Sequence, residues 1–215
     1  MFVRLQTVAA RPTDEKLVPM IADMVSGHPG FAGLALLAGD DGGGDLVSLW
    51  LTREDAELAS ERSAAIRGPR TFVLSRDEIY EVDADEPGSA AGEEPTVAFL
   101  GEFDGPLSPA RVEAARFAGT QRLAPVLRTV PGLVRMLVLW HPTERRMAVL
   151  HLATSIAALE TVSEAVMSTK LLPGEDPALL PGPDRVAQLR VAAYRGRTPG
   201  RAQQTTFLLG RTSPE

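Results

Sequence analysis

Side chains able to do chemistry are few in this chain of 215 residues: three histidines, two tryptophans, two tyrosines and no cysteine. Without cysteine there are no disulfides, thiolate nucleophiles or thiolate metal ligands. His28, His141 and His151 lie far apart, with neither HxH nor HExxH spacing, so neither a metal site nor a metal cofactor is expected. His28 and His141 fall in turn sequences and read as surface residues. His151 sits in an apolar run, where a neutral imidazole is either a general base in a cleft or a hydrogen-bonded core group. Trp50 offers a flat ring and one N–H donor, which suits a ligand platform or a packed core. Tyr80 and Tyr194 could each hydrogen-bond a ligand oxygen, or place a hydroxyl at a sheet rim. Arg4 and Arg135 lie in strand-like segments and could neutralise an anionic ligand or form salt bridges. Gly42-Gly43-Gly44 lacks the strand-to-helix context of a phosphate loop, so nucleotide binding is not indicated. No defensible Ser-His-Asp arrangement exists.

The segments that must position these residues occur twice. The stretch PGFAGLALLAGDDGGGDLVSLWLTREDAELASE, from Pro29, aligns without gaps to PGLVRMLVLWHPTERRMAVLHLATSIAALETVS, from Pro131. Identities are few, but the apolar positions coincide. Duplicated half-domains commonly pack on one another, so the repeat speaks to architecture first. In this alignment Leu152 falls at the place of Trp50.

Residues 2–9 alternate and read as a strand. Pro12-Thr13 before Asp14-Glu15-Lys16 begins a helix, with acids where the dipole favours them. Gly27 and Pro29-Gly30 end it. Strands at 31–38 and 46–52 form a hairpin around 40–45. Thr52 and Asp55 cap a helix to about Arg62–Ile66, and a strand follows at 76–83. The order strand-helix-strand-strand-helix-strand is a ferredoxin-like half. Residues 84–95 are acidic and rich in Pro and Gly, and read as a linker. The order then restarts: a strand at 96–103, a helix at 109–128 opened by Ser108-Pro109, strands at 133–140 and 147–153, and a helix at 155–167. A Pro-rich loop at 171–184 leads to a strand at 187–195. The expected divisions are therefore repeat 1 over 1–83, linker 84–95, repeat 2 over 96–196 and a tail over 197–215, where 205–209 could add an edge strand.

The net charge is −6, and no basic stripe marks a nucleic-acid partner. No run approaches the roughly 20 apolar residues of a membrane helix, so no membrane partner is expected. The N-terminus reads as a strand and not as a signal peptide. Absence of cysteine agrees with a cytoplasmic location, and abundant Ala, Gly, Pro and Arg with a high-GC bacterial genome.

Two ferredoxin-like halves, each with an Ala-rich helix after its third strand, the first of these strands ending in Trp, resemble the dimeric α/β-barrel superfamily. The region LVSLWLTREDAELASERSA, residues 46–64, is similar to its antibiotic biosynthesis monooxygenase-like group. The resemblance implies an α+β fold in which two antiparallel sheets close into one barrel within the chain. It also implies a cofactor-free oxygenase acting on a small aromatic or quinone-type ligand held by Trp50 and Tyr80. Further pairing into a homodimer is left open. Haem-degrading members carry an Asn on the first strand and a His about ten residues beyond the Trp. Here the first strand offers Gln6-Thr7 and the His place holds Ser60, which argues against haem. By strand alternation, Val47, Leu49 and Leu51 should meet the helices, with Leu46, Ser48 and Trp50 facing the barrel interior. The same register puts Ala148, Leu150 and Leu152 inside and His151 under the helices. A one-residue slip would turn these faces over. Two other readings stand beside the enzyme: a non-catalytic binding or scaffold protein with a degenerate barrel, and an assembly protein recruiting a partner through its exposed helices or its tail.

Overall fold

The structure, a computed structural model, describes residues 1–8, 17–40, 42–67 and 74–196. The expected helix start at Pro12–Lys16 and the tail at 197–215 lie outside them. Among the described residues are eight strands and four helical bodies: β1 (Phe2–Val8), α1 (Leu17–Ser26), β2 (Phe31–Ala38), β3 (Gly44–Trp50), α2 (Arg53–Arg67), β4 (Leu74–Pro87) and β5 (Val97–Phe103). Then follow α3 (Pro109–Phe117), continued through a π-helical turn (Ala118–Leu123) into α4 (Ala124–Leu127), then β6 (Leu133–His141), β7 (Arg146–Ala153), α5 (Ile156–Ser168) and β8 (Arg185–Gly196).

All strands are antiparallel and close a barrel in the order β1-β3-β2-β8-β5-β7-β6-β4. Each half contributes four neighbours, and the last strand of each half joins the other half: β8 pairs with β2, and β4 with β6. β4 is long because Ala84–Pro87, expected in the linker, continue it and pair with β6. Among the described residues, closure leaves no unpaired sheet edge.

Local chemistry explains the helix starts. Thr52 Oγ1 accepts the Asp55 N–H at 3.1 Å and donates to its carboxylate at 2.6 Å. Ser108 and Ser155 cap α3 and α5 in the same way, accepting from Arg111 N–H and Ala158 N–H. The π turn precedes Pro125, which has no N–H to give to a carbonyl one turn back. Beyond it, Ala124 and Leu127 are buried, and Leu127 packs with Leu133 and Met136 of β6.

An eight-stranded barrel is just wide enough for side chains to fill it. Here Val3, Leu5, Val47, Leu49, Leu100, Leu137, Leu139 and Leu150 fill the interior with their neighbours. Ala148, Leu150 and Leu152 lie inside as expected. The first half is the reverse of expectation: Val47 and Leu49 point inward, while Trp50 points out under the helices with Ala22, Val25, Leu34, Ala56 and Ala59. The cause is a one-residue difference between the hairpins. Leu51 N–H bonds the Gly30 carbonyl at 2.8 Å, and Thr154 N–H bonds the Gly132 carbonyl at 2.9 Å. These equivalent clasps enclose one residue more in the second half. Past the hairpin, therefore, Trp50 corresponds to Ala153 and Ser48 to His151. Gly30 and Gly132 both have positive φ, +70° and +80°, and each lies against the start of the next helix, where a Cβ would strike Asp55 or Thr154 and Ala158.

Candidate functional site

The five residues singled out from sequence do not converge. Trp50 is fully buried, and its indole N–H donates to Ser48 Oγ at 3.0 Å. Arg4 lies on the same outer face, buried, and clasps both oxygens of Asp77 at 2.7 Å. Gln6 adds a bond to that carboxylate at 3.2 Å. His151 lies on the outer face of the second half, stacked on Phe99 with ring centroids 5.6 Å apart. Burial pushes its imidazole down to about 4, so it is neutral at physiological pH.

Tyr80 and Tyr194 are in the barrel, in different surroundings. Tyr80 is buried; its hydroxyl donates to Glu78 Oε2 at 2.8 Å and its ring meets His141 edge-on at 5.3 Å. Burial and the adjacent Glu78 carboxylate push its phenol well above the ordinary range, so it stays protonated. Glu78 also receives Arg146 at 2.6 Å. Burial works against the Glu78 charge, but the bonds from Arg146 and Tyr80 prevail and hold its carboxyl below the usual range. Nearby, Arg76 donates to Thr7 at 2.9 Å, to Asp45 at 3.2 Å and to Glu102. This network plugs the barrel with paired charges that join the two halves. His141 ends β6 and His28 is partly buried at 6.3 Å from Trp50, so neither is the free surface residue that its turn sequence suggests. Tyr194 lines a small recess of about 60 Å³ beside Arg135, whose guanidinium binds Asp85 through two bonds of 2.7 Å.

The larger space lies outside the barrel. A cleft of about 460 Å³ opens between α3 and the β6–β7 hairpin, lined by Leu107, Pro109, Val112, Glu113, Arg116, Trp140 and Arg145. Its size falls within the range of small-molecule sites. The position follows from strand alternation. Leu137 and Leu139 point into the barrel, so Val138 and Trp140 point out and pack with Leu107, Val112 and Met147. Trp140 stays half-buried and supplies a flat aromatic wall. The Arg116 guanidinium lies 5.8 Å from the indole centroid, a cation–π arrangement. Asp83 holds it there, accepting from Nε at 2.6 Å and Nη2 at 2.8 Å. Asp83 is the extra residue of a β4 bulge, where pairing with β6 shifts between Val82 and Ala84.

The hairpin end of the cleft is fixed tightly. Leu107 N–H bonds the Arg145 carbonyl at 2.8 Å. Gly105 packs so closely on the turn that a Cβ would meet Glu144 O at 2.5 Å and Arg145 O at 2.7 Å. Arg145 itself has φ of 50°, a left-handed conformation uncommon for a residue with a side chain. None of Trp50, Tyr80, His151, Tyr194 and Arg4 lines this cleft. Sequence reading overlooked Trp140, Arg116, Arg145 and Glu113. The one available signal was Trp140 on the opposite face to Leu137 and Leu139, in a strand apolar on both faces.

No protein-family model matches the chain, and no curated protein matches it. Solved structures do match its fold. A candidate monooxygenase from Fusobacterium nucleatum subsp. nucleatum superposes with a TM-score of 0.67 at 9% identity, covering 92% of this chain and 94% of that one. A mutant chlorite dismutase from Candidatus Nitrospira defluvii, in complex with cyanide, gives 0.58 at 11%, covering 88% and 90%. An anthrone oxidase-like protein gives 0.55 at 16%, covering 90% and 92%. At such identities the likeness is one of fold alone, and in this chain the whole eight-stranded antiparallel barrel is closed within one polypeptide.

Proposed function

We propose that this is a monooxygenase-like protein that binds a small aromatic, phenol- or quinone-type molecule in the cleft between α3 and the β6–β7 hairpin. The observation that carries the reading is the pairing of a half-buried Trp140 ring with an apolar floor in a space of about 460 Å³. Trp140 stacks on the ligand ring, and Arg116, fixed by Asp83, polarises one edge of it. The chemistry needs no protein nucleophile. An anthrone-type substrate loses an acidic C–H proton, its carbanion gives electrons to dioxygen, and ketone and water result. Anthrone plus O₂ thus becomes anthraquinone plus H₂O, with atoms balanced. The fold likeness to an anthrone oxidase-like protein favours this class.

In this reading the polypeptide is a fused pair of ferredoxin-like halves, 1–83 and 96–196, with Ala84–Pro87 extending the last strand of the first half, the rest of 84–95 as the connection, and a tail at 197–215. The setting is bacterial and cytoplasmic, in keeping with the composition. The first half serves as scaffold, since Trp50 is sealed where the second half keeps an open cleft. A purely non-catalytic binding role is the second reading, favoured by the packed barrel interior. Oxygen uptake with anthrone decides between them. The enzyme reading expects uptake above buffer that is lost in Trp140→Ala. A wild-type rate equal to buffer, with ligand still bound, establishes the binding role.

A further inference from the structure

We infer that the cleft selects aromatic ligands carrying an ionised acidic group, and that Arg145 is the residue that reads the charge. The inference rests on the cleft reading above and adds the ligand's charge to it.

Two arginines line the cleft, but they are not equivalent. Arg116 has its charge matched: Asp83 accepts from two of its nitrogens, so a second anion there would compete with a fixed carboxylate. The Arg145 side chain makes no ion pair or hydrogen bond among the described residues, and it is exposed at the rim. Its backbone is nonetheless anchored through its carbonyl to Leu107 and packed on Gly105, in a left-handed conformation that a glycine would adopt more easily. A strained arginine with an unmatched charge beside an aromatic wall is the arrangement expected of a ligand contact. Glu113, the remaining charged lining residue, is exposed on α3 three residues before Arg116 and also lacks a partner among the described residues. It repels an anion placed at its end of the cleft and accepts a hydrogen bond from a ligand hydroxyl there. The two rim charges therefore orient a hydroxylated aromatic acid: its carboxylate or phenolate goes to Arg145, its ring to Trp140 and a neutral hydroxyl toward Glu113. With a net charge of −6, the chain as a whole does not attract anions, so such a preference would be local.

The test compares anthraquinone-2-carboxylate with its neutral carboxamide by calorimetric titration. Wild type should bind the carboxylate about tenfold more tightly, the order expected of one charge-assisted contact. Arg145→Gly, which suits the left-handed backbone, should remove that preference, so that the ratio of carboxylate to carboxamide affinity falls to about one. Arg145→Lys should keep most of the preference. Equal binding of both ligands by wild type, or a preference that survives Arg145→Gly, overturns the inference while leaving the cleft reading intact. Binding of neither ligand overturns both.

Discussion

Replacing Trp50 by alanine separates a core tryptophan from a ligand platform. The indole is fully buried among Ala22, Val25, Leu34, Ala56 and Ala59 and gives its N–H to Ser48. A buried tryptophan removes roughly 200 Å² from water, equivalent to about 5 kcal/mol at 25 cal/mol per Å². Alanine recovers a small part of this. The hydrogen bond adds about 1 kcal/mol, partly offset because Ser48 Oγ still donates to the Arg4 carbonyl at 3.5 Å. The expected loss is therefore about 3–5 kcal/mol, in line with large-to-small core substitutions of aromatic residues. In a protein of this size that is about 6–20 °C in Tm. Urea unfolding followed by far-UV circular dichroism measures it as a lower midpoint at unchanged slope. Affinity for an aromatic ligand should be unaltered at temperatures where the variant is folded. A loss below about 1 kcal/mol with weakened ligand binding would refute the reasoning and return Trp50 to a binding role.

Other consequences can be checked with less effort. The His151 imidazole, held down to about 4 by burial, should show no NMR titration shift near its ordinary value of 6.5. Its folded pKa is depressed, so its contribution to stability is full above pH 6.5 and is lost as pH falls from there toward about 4; a His151→Phe variant should flatten that slope. Glu78 is likewise depressed, by Arg146 and Tyr80 acting against its burial, so its contribution is present at neutral pH and lost on acidification through the carboxylate range. Glu78→Gln should therefore destabilise at pH 7 more than at pH 3 in thermal melts, and equal loss at both would contradict the pairing. Gly132→Ala forces a Cβ to within 2.8 Å of Thr154 and 2.9 Å of Ala158 at a positive φ, and should cost about 1–3 kcal/mol in urea unfolding.

The sequence was most legible where physics is local. Caps at Thr52 and Ser108, the stop at Pro29-Gly30 and the period-2 segments all yield elements close to those observed. The facing of β3 was not legible. A gapless alignment pairs Trp50 with Leu152, and nothing in the residues marks which hairpin holds one more; the clasps at Gly30 and Gly132 show it only in three dimensions. The composition of 84–95 suggests a linker because acidic residues and proline disfavour strands, yet Ala84–Pro87 find partners on β6, and tertiary pairing overrides propensity. The cleft was hidden for a similar reason. β6 is apolar on both faces, so alternation does not single out Trp140, and Arg116 on a helix reads as a solvated charge until the Asp83 bulge brings a carboxylate to it.

The central claim is that an aromatic ligand binds at Trp140, outside the barrel. The most direct measurement is fluorescence titration of a Trp50→Phe variant, in which Trp140 is the sole tryptophan. Anthraquinone-2-carboxylate should quench its emission saturably, with an affinity matching that found by calorimetry. Binding seen by calorimetry with no change in Trp140 emission would place the ligand elsewhere and contradict the account.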